Sequence, residues 1–360
     1  MDTATIASTS SGKTVVHDNE HGHDPEHEFR KERYVADVGV PELLHFELDP
    51  KPQGYYTRYP NGWSRIREYI REPAAEALGT FILCLVGVGV NLQVGLSSNT
   101  EIAPSARGDY LSNSFGWALG AACGVWISGG VSGGHINPVV TLCMAIFRSF
   151  PWKKVPGYVL AQVLGAFLGS LVAYGNYFHA IDLVEGSGVR TVPGTASFFT
   201  SYALDYVSDL NCFWDEFICS FILLLVVFAV TDRNNGPPPA GLVPLAIFSA
   251  MFIIIAGFGL QTSFAINPAR DLGVRIMTAL VGYGEPVWSY RRQFWLWCCI
   301  CGPLAGGLVA AFVYEALIAT GEDSLLNRPS RAARQWTRAQ ELARERLAAS
   351  RSVVEAGQIV

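Results

Sequence analysis

The stretch SGGHINPVVTLCMAIFRSF, residues 132–150, sets an Asn-Pro pair inside an otherwise apolar run. A second stretch, TSFAINPARDLGVRIMTAL at 262–280, repeats Ile-Asn-Pro and again leads into apolar sequence. Proline suits the first turn of a helix, where its missing N–H has no intrahelical partner, and Asn before it is a favoured cap. Each pair therefore predicts the start of a short helix, from Pro138 to about Phe147 and from Pro268 to about Leu280. Crossing a bilayer takes about 20 apolar residues, so both are too short to span. A broken segment of this kind is tolerated at membrane depth only where protein or a water-filled cavity covers its backbone.

The rest of the chain supplies that cover. Half of its 360 residues are hydrophobic, 16% are charged, and the mean hydropathy is +0.26. Charge gathers in the first 72 residues and after about 320, leaving an apolar middle. Six segments there are long enough to span, at about 74–95, 113–131, 156–178, 213–230, 242–260 and 293–317. The expected organisation is a largely disordered N-terminal tail (1–72), a membrane body (73–320) and a tail with helical character (321–360). Arg58, Arg65, Arg67, Arg71, Arg148, Lys153, Lys154 and Arg233 fall on one side with the Arg-rich tail, which predicts that both termini are cytoplasmic.

The body reads as a duplication. Each half has a carboxylate near the start of its first span (Glu76, Glu216), then Ile-Asn-Pro, then a Gly-rich last span, over about 73–180 and 212–318. Three spans separate Asn137 from Asn267, and an odd number puts the two half-helices on opposite membrane faces. Such inverted repeats build a site near the bilayer midplane where broken helices meet. The N-terminus of each half-helix carries a partial positive charge of about half an electron. Two such ends facing one another oppose cations, while the Asn carboxamides offer N–H donors to a neutral molecule. Glycines at four-residue spacing, such as Gly116, Gly120 and Gly124, predict close helix packing.

"SGGHINPVV" and "FAINPARD" resemble the two signature loops of the major intrinsic proteins, the aquaporins, and the likeness covers about 70–320. The second motif, Asn267, Pro268 and Ala269, matches in full; the first, Asn137, Pro138 and Val139, has Val where the family usually has Ala. The resemblance implies an all-α membrane bundle of six transmembrane helices plus two re-entrant half-helices, a homotetramer, and passive passage of water or small neutral solutes without a cofactor. It places the selectivity filter at Trp117, Ile255, Phe264 and Arg270, and His135 at a pore mouth. The glycerol-conducting branch looks like Trp, Gly, Phe, Arg, so Ile255 is the departure. Trp117 and Phe264 would give a polyol an apolar corner, with Arg270 donating to its hydroxyls. Glycerol or a similar small polyol is therefore the expected solute beside water. The added bulk of Ile255 leaves open a water or hydrogen peroxide channel with poor glycerol passage. Asp271 and Arg275 follow the pattern associated with glycerol channels, and the loop from about 179 to 212 is long, as in that branch.

Other functional classes fit less well. A secondary transporter also uses inverted repeats and broken helices, but it needs an ionisable coupling residue at mid-membrane. An ion channel would need a ring of carbonyls or charges, and a receptor a foldable output domain. Nothing points to an enzyme or to nucleic acid. The eight cysteines lie in or beside spans and read as small apolar filler, with no metal site expected at "CCIC". His17, His21, His23 and His27 sit in a polar, aperiodic tail, where disorder outweighs metal binding. The Arg-rich stretch at 330–350 has good helix formers and fits either a solvated helix or one lying on anionic lipid. A multi-pass protein of the plasma membrane is the expectation.

Overall fold

The computed structural model describes residues 58–321 and 324–357, so the four N-terminal histidines lie outside the described residues. From Asn61 the chain forms one unit built of helices. They are α1 (Gly62–Ser97), α2 (Tyr110–Ser132), α3 (Pro138–Phe147), α4 (Val155–Glu185), α5 (Asp209–Thr231) and α6 (Val243–Phe258). Then come α7 (Pro268–Thr278), the short α8 (Pro286–Ser289) and α9 (Phe294–Trp297), α10 (Cys301–Leu317) and α11 (Arg331–Gly357). Among the described residues six helical stretches are long and apolar enough to cross a membrane, matching the six expected spans. The outward side chains are apolar, with Leu78, Leu119, Leu160, Leu164, Trp214 and Phe312 exposed, a surface suited to lipid and not to water. The chain is an integral, multi-pass membrane protein.

Two boundaries differ from the expectation. The first helix does not begin near Pro73 but at Gly62, so residues 62–72, assigned to the tail, are helical. Its start is fixed by a capping box, in which Oδ1 of Asn61 accepts from the Ser64 N–H at 2.8 Å and Oγ of Ser64 accepts from the Asn61 N–H. Proline inside a helix removes only one backbone bond, and here α1 runs through it. The sixth span is interrupted: α9 ends at Trp297 and α10 restarts at Cys301, with Pro303 in its first turn, where no N–H is needed. Elsewhere the starts follow capping chemistry. Asp109 caps α2 by accepting from the Ser112 N–H, and bonds from the Ser112 backbone and hydroxyl hold its carboxyl below the usual carboxylate range.

Lipid is as apolar as the helices, so contact between them rests on close packing of small residues. In the first repeat, α4 lies so near α1 that a Cβ on Gly165 would stand 2.1 Å from the Ala77 carbonyl oxygen, and one on Gly169 would stand 2.3 Å from that of Phe81. The second repeat copies this, with Gly306 of α10 against the Phe217 carbonyl of α5 at 2.0 Å. Both half-helices cross over. The second-repeat α7 packs on α4 of the first repeat, and α3 packs on α10 of the second. The two halves therefore interlock around their shared centre.

Candidate functional site

Each half-helix begins at its Asn-Pro. Oδ1 of Asn137 accepts from the Val139 N–H at 2.9 Å, and Oδ1 of Asn267 accepts from Ala269 at 3.0 Å and Arg270 at 3.2 Å. With the oxygens committed to capping, the amide nitrogens point across the junction. Nδ2 of Asn137 donates to the Ile266 carbonyl at 3.3 Å, and Nδ2 of Asn267 donates to the Ile136 carbonyl at 2.6 Å. The two loops thus meet symmetrically, and each amide retains a second N–H.

Those carbonyls are aimed by strained backbone. Ile136 has φ +42° and Ile266 φ +52°, a left-handed conformation that β-branched residues rarely adopt and that costs on the order of 1–3 kcal/mol each. The repeat carboxylates hold them there. Fully buried Glu76 accepts from the N–H groups of His135 (3.0 Å) and Ile136 (2.6 Å), from Ser132 Oγ and from Gln162 Nε2. Fully buried Glu216 accepts from the N–H groups of Ala265 (2.7 Å) and Ile266 (2.8 Å) and from Thr262 Oγ1. The residues read in sequence as repeat markers are thus the clamps that shape both loops.

The first motif also keeps its fit despite Val139. That side chain is fully buried, and a Cβ on Gly307 of α10 would stand 2.3 Å from its Cγ1. The absence of a side chain at 307 makes room for the larger residue.

A cavity of about 80 Å³ runs past both asparagines. One wall is apolar, with Leu83, Leu223, Val227, Ile247 and Met251, while the loop segments 133–137 and 264–267 line the other. Three of the four expected filter residues also line it: Trp117, Phe264 and Arg270. The Trp117 and Phe264 rings meet edge to face at 5.8 Å and 80°. The Arg270 guanidinium lies 4.5 Å from the centre of the Trp117 ring and 5.6 Å from that of Phe264. An arginine at membrane depth costs about 3 kcal/mol or more. Here Nη1 donates to Ser201 Oγ at 2.6 Å and stands 3.8 Å from Asp271. Asp271 in turn takes two bonds from Arg275 and one from the Ser201 N–H, so one buried network fixes loop and filter together.

Ile255 does not join them. It is fully buried near the end of α6 and is not among the residues lining the cavity, while its carbonyl accepts from the Tyr110 hydroxyl at 3.0 Å. Helix α6 is followed by a turn-rich loop before Phe264, with Ser263 and Phe264 in left-handed backbone. His135 lines the cavity, with Nδ1 3.2 Å from Thr141 Oγ1 and its ring against Phe150 and Tyr158. Sequence reading missed Asn91, which accepts from the Trp117 indole N–H at 3.0 Å and donates to the Phe198 carbonyl at 3.1 Å. A carboxamide within an apolar span was the available signal.

Comparison with known proteins agrees with this geometry. The model of the major intrinsic protein family matches residues 63–314. The chain is 50% identical over 275 residues to aquaporin-6 of Laccaria bicolor, covering 76% of this chain and 88% of that one. It is 44% identical over 272 residues to the aquaglycerol porin AQY3 of Saccharomyces cerevisiae, covering 75% of this chain and 41% of the yeast protein. Among solved structures it is similar to the aquaglyceroporin from Plasmodium falciparum, with a TM-score of 0.62, 29% identity, and coverage of 69% of this chain and 97% of that one. With six spans, two crossed half-helices and paired Asn-Pro loops around one cavity, the chain belongs to the major intrinsic protein family, whose members are passive channels and not enzymes.

Proposed function

We propose that this channel conducts water and glycerol or similar small polyols and excludes ions and protons. The observation that carries the reading is the edge-to-face corner of Trp117 and Phe264 under the Arg270 guanidinium. The rings supply an apolar surface for a carbon backbone, and Arg270 supplies donors on the polar side. No histidine lines the cavity beside them to serve water alone; the lining histidine is His135. Further along, the second N–H of Asn137 and of Asn267 meets the solute oxygen, and the two half-helix ends oppose cations. The relatives named for glycerol support the same solute class.

The bulk of Ile255 was the reason to consider a water or peroxide pore closed to glycerol. Ile255 is not among the residues lining this cavity, which supports glycerol passage beside water. A coupled transporter would need a titrating group in the cavity beside the asparagines. The acidic groups nearest the loops, Glu76 and Glu216, are spent on backbone donors. The basic flanks support cytoplasmic termini, and the exposed apolar faces are available for a tetramer as well as for lipid. Stopped-flow permeability of vesicles carrying the protein tests the solute. Both water and glycerol should pass faster than through protein-free vesicles, and Phe264→His should lower the glycerol-to-water ratio. Glycerol flux equal to that of empty vesicles would refute the reading.

A further inference from the structure

Helix α11 projects beyond the channel and every side chain described on it, from Arg331 to Ala349, is exposed. Its composition is not that of a plain solvated helix. Trp336, Ala339, Ala343 and Leu347 follow one another at intervals of three, four and four residues and so share one face. Trp336 is 65% exposed there, a large aromatic surface open to its surroundings. At 3.6 residues per turn, Arg344 and Arg346 fall on the two borders of this stripe, while Arg331, Arg334 and Arg338 share the back with Glu341 and Glu345. Over 331–349 the two charged residues at the borders are therefore both basic and the mixed charges are turned away, with Leu342 toward the back. That is the pattern of a helix that sinks an apolar face into a leaflet and lets arginines reach headgroups.

The connection to the channel keeps this helix near the membrane. After the last span the chain is pinned twice: the Leu325 N–H donates to the Phe147 carbonyl at the end of α3 (3.1 Å), and Nδ2 of Asn327 donates to the Ala319 carbonyl (2.7 Å). Ser324, immediately before Leu325, is fully buried. Only three residues, 328–330, separate Asn327 from Arg331, so the four steps of chain reach at most about 14 Å. The first turn of α11 therefore starts within that reach of Asn327, which is itself tied to the end of the last span.

We infer that α11 is an interfacial helix that docks on anionic lipid headgroups, with Trp336, Ala339 and Ala343 inserted and Arg344 and Arg346 pairing with the charged lipids. The inference rests on the membrane-spanning fold and not on which solute passes. Hydrogen exchange of amides 332–349 in the full-length chain tests it, with the protein reconstituted in vesicles of phosphatidylcholine alone or with about a third phosphatidylserine. The anionic vesicles should slow exchange in this segment at least fivefold, and 0.5 M salt should reverse most of that effect. Arg344→Gln with Arg346→Gln should abolish it, whereas Arg334→Gln with Arg338→Gln should retain most of it. Water permeability serves as the fold control and should stay unchanged in all variants. Equal exchange in both lipids, or equal loss from back and border variants, would overturn the proposal. So would protection that appears in detergent without lipid or grows with protein density, which would assign the face to another protein chain.

Discussion

The indole N–H of Trp117 donates to Oδ1 of Asn91 at 3.0 Å, and the ring so fixed carries the Arg270 guanidinium 4.5 Å from its centre. Asn91 touches the cavity only through Trp117, yet it sets the plane of the largest wall of the proposed filter. Asn91→Leu leaves the indole N–H without its acceptor, a loss of about 1–3 kcal/mol for a buried donor, and lets the ring rotate. The glycerol-to-water permeability ratio should fall several-fold with protein level and water flux nearly preserved. Stopped-flow measurement of both solutes checks this, and an unchanged ratio would remove Asn91 from the filter.

Gly307 and Val139 form a second pair that can be tested by compensation. Gly307→Ala drives a methyl into the Val139 side chain, and overpacking of this kind costs about 1–3 kcal/mol. Val139→Ala opens the space again. Thermal unfolding in detergent should show a loss for Gly307→Ala that the double variant largely recovers. Additive effects would show that the two side chains do not compete for one volume.

Much of this architecture was legible in the residues. Asn-Pro followed by a short apolar run located α3 and α7 at their first residues, because cap and first-turn chemistry is local. Trp117 on α2, Phe264 in the loop before α7 and Arg270 on α7 line one cavity with the two asparagines. What escaped depends on contacts between distant segments. Ser201, in the long loop before α5, has no periodicity to mark it and gains its role only when Arg270 reaches it. Glu76 and Glu216 stood out as a repeated pair, but nothing local says that their partners are the loop N–H groups before each asparagine. Ile255, on α6, is buried and is not among the residues lining the cavity, a placement that depends on how α6 packs and not on its local sequence.

Ile255→Gly tests that last point. With the side chain buried outside the cavity lining, the substitution should leave the glycerol-to-water ratio within about twofold and lower stability instead. Large-to-small changes in a core cost about 2–5 kcal/mol. Thermal unfolding paired with vesicle permeability separates the two effects. A marked rise in glycerol passage at unchanged stability would return Ile255 to the constriction.

Arg270 and Ser201 address ion exclusion. Arg270→Ala removes the fixed positive charge beside the filter rings and should let protons or small cations leak, read with a pH-sensitive dye inside vesicles under an imposed potential. Ser201→Ala keeps the charge but removes the acceptor at 2.6 Å, so its leak should be much smaller. Equal leaks would mean that the position of the guanidinium, and not its charge, is what excludes ions.

The central claim is passive conduction through the Asn137–Asn267 junction, and uptake of labelled glycerol into vesicles carrying the purified protein tests it most directly. With and without a proton or sodium gradient, internal glycerol should rise quickly to the external concentration and stop there, and efflux should be equally fast. Accumulation above the external concentration under either gradient would contradict the account.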